Sequence, residues 1–221
     1  MEIVQMNQSG VEIQIGLLEA IIDMLLLKPI FLLGVVIICI LLALQFKKNN
    51  SLPKIKTFIA SLILYYYLCL LLTNIVGIPT INEFIRLSQL GESFFNPKIN
   101  FLLFSDGLSL SFILNIFLFI PLGFLCPIIS KTYERTKNII LLGFGLSLFI
   151  EVTQLFTLYR ITDINDLLTN VLGTVMGYLC FKFILKFRPV NAYVNQQSAE
   201  KDSLTYLPVI IASVAFVLGF F

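Results

Sequence analysis

Four stretches of this chain, residues 29–46, 57–82, 107–130 and 203–221, contain no Asp, Glu, Lys or Arg, and a fifth, 138–159, is broken only by Glu151. A helix needs ~20 apolar residues to cross a hydrocarbon core of ~30 Å, and these runs reach or approach that length. A sixth run, 167–181, is shorter, but Asp166 and Lys182 at its ends can snorkel and extend it. Barrel strands would alternate apolar and polar residues, which residues 139–150 do not. Helices are the remaining way to satisfy the backbone in lipid. The expected fold is therefore all-α: a polytopic integral membrane helix bundle of about six transmembrane helices.

The runs divide the chain. Residues 1–28 read as an amphipathic N-terminal lead-in, with 11–27 leading into the first helix, and residues 29–78 as the first two membrane helices. An extracytoplasmic loop follows at 79–106, then a core of three membrane helices over 107–186, a cytoplasmic loop at 187–202 and a last membrane helix at 203–221. Glu2, Glu12, Glu19 and Asp23 give the N-terminus the wrong charge for a cleaved secretory signal.

Composition narrows the chemistry. The chain has no His, which removes Ser-His-Asp and Cys-His catalysis and every His-ligated metal site. Cys39, Cys69, Cys126 and Cys180 fall inside apolar runs without C-x-x-C spacing and read as packing residues. No basic patch interleaved with aromatics suggests nucleic acid, and no cofactor is expected.

Lys47, Lys48, Lys54, Lys56, Lys131, Arg135, Lys137, Lys182, Lys186, Arg188 and Lys201 lie in alternate connections, which places eleven of the 15 basic residues on one side. Short cytoplasmic loops retain Lys and Arg, so both termini are expected outside. Tyr159 and Tyr206 near helix ends fit interfacial anchoring.

With this topology the polar residues fall toward the outer face. Asn115 lies in the outer half of the third helix, and Glu151 and Gln154 lie past the midpoint of the fourth. Asp166, Asn170, Gly173 and Gly177 recur at i, i+4, i+7 and i+11 on the fifth helix, and Gly143, Ser147, Glu151 and Gln154 form a second stripe on the fourth. Small residues let helices approach closely in lipid, so the two glycine-bearing faces are expected to pack together. That would gather Glu151, Gln154, Asp166 and Asn170 into one extracytoplasmic pocket, with Arg160 and Asp163 at its mouth. An ionisable side chain in hydrocarbon is costly and is usually used or paired, which singles out Glu151.

Plainer roles stand beside these. Asn115 and Asn170 can be interhelical hydrogen-bond glue worth about 0.6–2 kcal/mol each. Asp166 can be only the N-cap of the fifth helix, and Arg160 and Asp163 only interfacial charges. Glu151 can be a protonated structural residue. Pro121 with Gly123 reads as a helix kink, and Glu83 with Arg86 as an i, i+3 pair on an interfacial helix whose loop is long enough to fold over the pocket.

The block from Asn115 through Pro121 and Gly123 to Phe124, the segment Ser147–Gln154 around Glu151, and Arg160, Asp163, Asp166, Asn170, Gly173 and Gly177 resemble, in that order, the VanZ-like family of bacterial membrane proteins. An Asn-Leu-Ile-Pro-Phe run common in that family corresponds here to residues 100–104, without the proline. The resemblance implies a bacterial, Gram-positive cell-membrane protein and a link to glycopeptide antibiotics, since the founding member is associated with teicoplanin resistance.

Three functional classes follow. One is a non-catalytic factor that binds a lipid-linked cell-wall precursor, a lipophilic glycopeptide or another membrane protein. Another is an embedded enzyme in which Asp163, Asp166 and Glu151 hold a divalent metal and Arg160 holds a phosphate. The third, a transporter with Glu151 as its proton site, is disfavoured by the absence of an internal repeat.

The topology has a direct test. A single Cys introduced at Asn50 should be shielded from an impermeant thiol reagent in intact cells, and one at Ser93 should react; equal labelling of both would overturn the orientation.

Overall fold

The computed structural model describes residues 3–6, 12–15, 18–19, 22, 25–48, 54–93, 95, 97–100, 110–157, 162–186 and 204–221. Two short strands come first, β1 (Ile3–Met6) and β2 (Glu12–Ile15), paired antiparallel with Ile3 opposite Ile15. The expected amphipathic lead-in thus begins as a strand. Glu12-Ile13-Gln14-Ile15 alternates with the period of a strand, and the Asn7-Gln8-Ser9-Gly10 sequence ahead of it is rich in turn-forming residue types.

Helices α1 (Phe31–Lys48) and α2 (Lys54–Cys69) follow, and α2 continues into a π-helical segment, Leu70–Ile75. The Thr73 hydroxyl donates to the Cys69 carbonyl there (2.7 Å). Next come α3 (Ile81–Leu90), β3 (Ile99–Asn100), α4 (Leu110–Ile129), a 3-10 turn at Lys131–Glu134, α5 (Thr136–Gln154), β4 (Thr162–Asp163), α6 (Ile164–Ile184) and α7 (Leu207–Gly219).

Among the described residues, five helices are long and apolar enough to cross a membrane: α1, α2 with its continuation to Ile75, α4, α5 and α6. Leu32, Phe117, Leu179 and Phe183 are more than half exposed on their outer faces, the apolar surface that lipid requires and water penalises. The sixth expected span corrects to a 13-residue helix, about 20 Å long at 1.5 Å per residue. Pro208 stands in its first turn, where the missing N–H would have had no intrahelical partner. Together with its flanks α7 still runs the length of the bundle. Thr205 meets Thr132 hydroxyl to hydroxyl (2.9 Å) at one end, and the Ile81 amide donates to the Phe220 carbonyl (2.8 Å) at the other. The first of these ends carries the described lysines and arginines of the basic connections. All four cysteines are free, with Cys69 and Cys126 buried.

The connection between α2 and α4 is partly ordered by its own helix. Thr80 caps α3 by accepting from the Glu83 amide, Gly91 ends it in the left-handed conformation (φ 71°), and Arg86 pairs with Glu83 at 2.7 Å. The ring of Phe95 lies 5.7 Å from that of Phe156, just beyond α5, so this loop touches the end of the core.

The tightest packing joins α4 to α6. Both run in the same direction, and a Cβ on Gly173 or Gly177 would strike the backbone of Ile116 or Ile120, while one on Gly123 would strike the Thr174 carbonyl. Glycines four apart on α6 and a third on α4 thus bring two helices into backbone contact. This corrects the expectation that the Gly173 and Gly177 face meets the fourth helix. Residues 173 and 174 are about 100° apart around a helix, so α6 presents its glycines to α4 and Asn170 and Thr174 to α5. Gly143 of α5 does meet α6, at the Thr174 side chain, whose hydroxyl folds back onto the Asn170 carbonyl (2.9 Å).

Pro121 and Pro127 both lie inside α4. Pro121 withholds the amide that would bond the Phe117 carbonyl, and the Tyr67 hydroxyl reaches the neighbouring Leu118 carbonyl at 2.6 Å.

Gly173→Leu or Gly177→Leu should therefore wedge α6 from α4 and abolish most membrane-inserted protein, since backbone has nowhere to go and even modest overpacking costs about 1–3 kcal/mol. Gly145→Leu, at a position where a Cβ meets nothing within 4 Å, should accumulate normally. Immunoblotting of washed membranes distinguishes the two.

Candidate functional site

The polar residues singled out in the sequence converge where α5 ends and α6 begins. Asp163, in β4, is the N-cap of α6: its Oδ1 accepts from the Asn165 amide (2.8 Å) and from Asn165 Nδ2 (2.9 Å). The capping role considered for Asp166 thus belongs to Asp163, because the helix starts three residues earlier than the apolar run. Asp166 falls in the first turn, where a carboxylate complements the helix dipole, and its Oδ1 accepts from Asn115 Nδ2 of α4 at 2.7 Å.

Glu151 is 4% exposed and reaches from α5 to the same turn. Its Oε2 accepts the Asp163 amide (3.1 Å), and its backbone carbonyl accepts the Thr162 hydroxyl (3.1 Å). The carboxylate therefore holds the residue that caps α6. One turn deeper, Asn170 Nδ2 donates to Ser147 Oγ (3.0 Å), so the α5–α6 seam passes from Gly143 against Thr174, to Ser147 against Asn170, to Glu151 against Asp163.

A third element reaches the cluster from the connection between α3 and α4. β3 pairs parallel with β4, with Ile99 opposite Thr162 and Asn100 opposite Asp163. The Thr162 amide donates to the Lys98 carbonyl (2.9 Å), and Asn100 Nδ2 donates to Asp163 Oδ2 (3.1 Å). Asp163 is thus gripped from both sides, one oxygen by its own helix and the other by the loop.

Asn115, Glu151, Asp163, Asp166 and Asn170 come together as two linked sets, Asn115–Asp166 and Glu151–Asp163, above the Ser147–Asn170 pair. Gln154 lies one turn beyond Glu151 and is buried. Its Oε1 and the Oδ1 of Asn170 have no hydrogen-bond partner among the described residues. Arg160 lies outside the described residues, as does Tyr159. The candidate metal set of Asp163, Asp166 and Glu151 is not gathered as a metal site: among the described residues no three acidic or cysteine side chains are so placed.

Asn100, Thr162, Asn165 and Ser147 are the participants whose roles were not assigned from sequence. Thr162 and Asn165 stand in the polar stretch before the fifth apolar run and Ser147 in the small-residue stripe, so their positions were visible. Asn100 opens the run that corresponds to the family's Asn-Leu-Ile-Pro-Phe block, but nothing local names its partner, which is 63 residues away.

Five apolar spans, three of them forming a core with a partly buried carboxylate–amide cluster at one end, define a polytopic membrane protein with a polar site embedded in its helix bundle. The family model described as VanZ/LLP1 matches residues 29–186, more than two-thirds of the chain, and contains every residue of this cluster. The chain belongs to the VanZ/LLP1 family, as its three sequence blocks imply. Comparison with curated proteins gave no match, nor did comparison with solved structures.

The two functions of Asp163 separate by substitution. Asp163→Ala, which loses the cap and the acceptor for Asn100, should destabilise the purified protein by about 1 kcal/mol or more, whereas Asp163→Asn, which keeps the cap and loses only the acceptor facing Asn100 Nδ2, should melt between Asp163→Ala and wild type in a detergent thermal-shift assay.

Proposed function

We propose that this protein acts at the extracytoplasmic face of a bacterial, Gram-positive cell membrane, where the cluster around Glu151 and Asp166 binds a polar group non-catalytically and lowers susceptibility to lipophilic glycopeptides such as teicoplanin. The observation that carries the reading is the excess of buried acceptors. Two unpartnered amide oxygens, on Gln154 and Asn170, stand beside the carboxylates of Glu151 and Asp166. Buried polar atoms are normally satisfied, and leaving one unmade costs about 1–3 kcal/mol. A site of this kind suits a ligand that brings donors: the amide and hydroxyl groups of a lipid-linked wall precursor, or those of the glycopeptide itself. The weight of Lys and Arg at the opposite end of the bundle supports the outward orientation. The loop that ends in β3 borders the cluster and is placed to meet such a ligand.

Expression should raise tolerance to teicoplanin and other lipoglycopeptides more than to vancomycin. Glu151→Gln and Asp166→Asn should each remove that tolerance while membrane abundance stays at the wild-type level, because volume is kept and only charge is lost. Full tolerance with both variants would reduce the cluster to structural glue, and unchanged susceptibility on deletion, in a strain without related proteins, would overturn the reading itself.

A further inference from the structure

A second feature lies away from the polar cluster. The turns that precede α5 and α7 meet at the Thr132–Thr205 contact and the helices themselves at the Phe149–Phe216 ring pair (centroids 4.6 Å apart), and between these points a cleft of about 760 Å³ separates them. Its walls are Leu142, Leu146 and Phe149 of α5 and Ala212 and Phe216 of α7, with Leu72 behind them. It opens sideways, where the lining residues Leu141 and Val217 are more than half exposed. The volume lies within the ~300–1,000 Å³ of small-molecule sites.

The cleft is polar at one end only. Thr132 and Asn138 line that end, with Asn138 Nδ2 held by the Thr132 carbonyl at 2.7 Å. Lys131, Arg135 and Lys137 surround them against the single acid Glu134, and Arg135 and Lys137 are exposed. Lys137 sits one helical turn before Leu141 on the same stripe of α5. From Asn138 to Phe149 the helix rises about 16 Å, half of a hydrocarbon core of ~30 Å. An apolar slot one leaflet deep with a cationic, hydrogen-bonding mouth matches one occupant in length, polarity and charge.

We propose that this cleft binds an anionic phospholipid of the leaflet facing the basic end, with one acyl chain between α5 and α7 and its phosphate at Lys131, Arg135 and Lys137. Basic sites between membrane helices hold anionic headgroups in this way, and each cation near the surface strengthens the association about five-fold.

The chain contains no Trp, so Phe216→Trp supplies a single reporter at the closed end of the slot. The full-length variant is placed in phosphatidylcholine nanodiscs doped with an equal fraction of either phosphatidylglycerol or phosphatidylcholine brominated near the acyl terminus. Brominated phosphatidylglycerol should quench several-fold more efficiently, Lys137→Gln should lower that preference about five-fold, and Gly145→Leu, which fills the slot from an open position, should abolish it. Equal quenching by the two lipids, or a preference that survives Gly145→Leu, overturns the proposal. So does a tryptophan shielded from both lipids in protein that cross-links as a dimer, because the occupant is then a second copy of the chain.

Discussion

The backbone-to-backbone contact of α4 with α6 is the constraint from which the rest of this bundle follows. In lipid no hydrophobic force drives helices together, so close packing and its hydrogen bonds must do so. Gly123, Gly173 and Gly177 remove the side chains that would hold the axes apart. Once the helices touch, only one face of α6 remains for α5, and it carries Asn170 and Thr174. The Asn115–Asp166 bond depends on the same approach, because a wider α4–α6 spacing would carry a 2.7 Å contact out of reach.

The polar cluster is better described as a junction than as an open pocket. Glu151 accepts the amide of Asp163, Asp163 caps α6 and is held by Asn100, and Asp166 is held by Asn115. Three carboxylates therefore tie together four parts of the chain: α4, α5, the start of α6 and the loop that carries β3. Such a junction couples the loop to the core. A ligand that donates hydrogen bonds to Asp163 or Asp166 competes with Asn100 or Asn115, and so bears on the loop and on α4 as well as on the site.

Much of this was legible in the sequence, and the misses share one cause. Uncharged runs located five spans, because the absence of charge over ~20 residues is a local property that lipid enforces on every residue. The stripe through Asp166 and Asn170 and the Glu83–Arg86 pair of α3 were readable for the same reason, being local spacings. Periodicity says which residues share a face but not which neighbour that face meets, so Gly173 and Gly177 were assigned to the wrong partner. The start of α6 was placed late because the apolar run begins at Leu167, while the helix begins within the polar segment, where Asp163 supplies the cap. The β3–β4 pairing joins residues 63 apart through main-chain groups that every sequence possesses, and composition cannot announce it.

The two ends of the molecule are chemically opposed, and the opposition has a structural consequence. At the end of the core where α5 meets α6, the Glu151 carboxylate and the Gln154 and Asn170 amides are buried among helices in close contact, with Asp163 and Asp166 half-buried beside them. At the other end, cations sit on exposed turns, and α7 leans on its neighbours through threonine and tyrosine contacts such as the Tyr133 hydroxyl to the Thr205 carbonyl (3.0 Å). Backbone contact through glycine leaves no slack, since any separation exposes helix dipoles and polar side chains to lipid. α7 is separated from α5 along much of its length by an apolar cleft, and its other side packs on α1 and α2, where Ile211 and Ala215 are fully buried. Contact through glycine backbone therefore belongs to α4–α6, and it is on that side that the polar chemistry of the chain is concentrated.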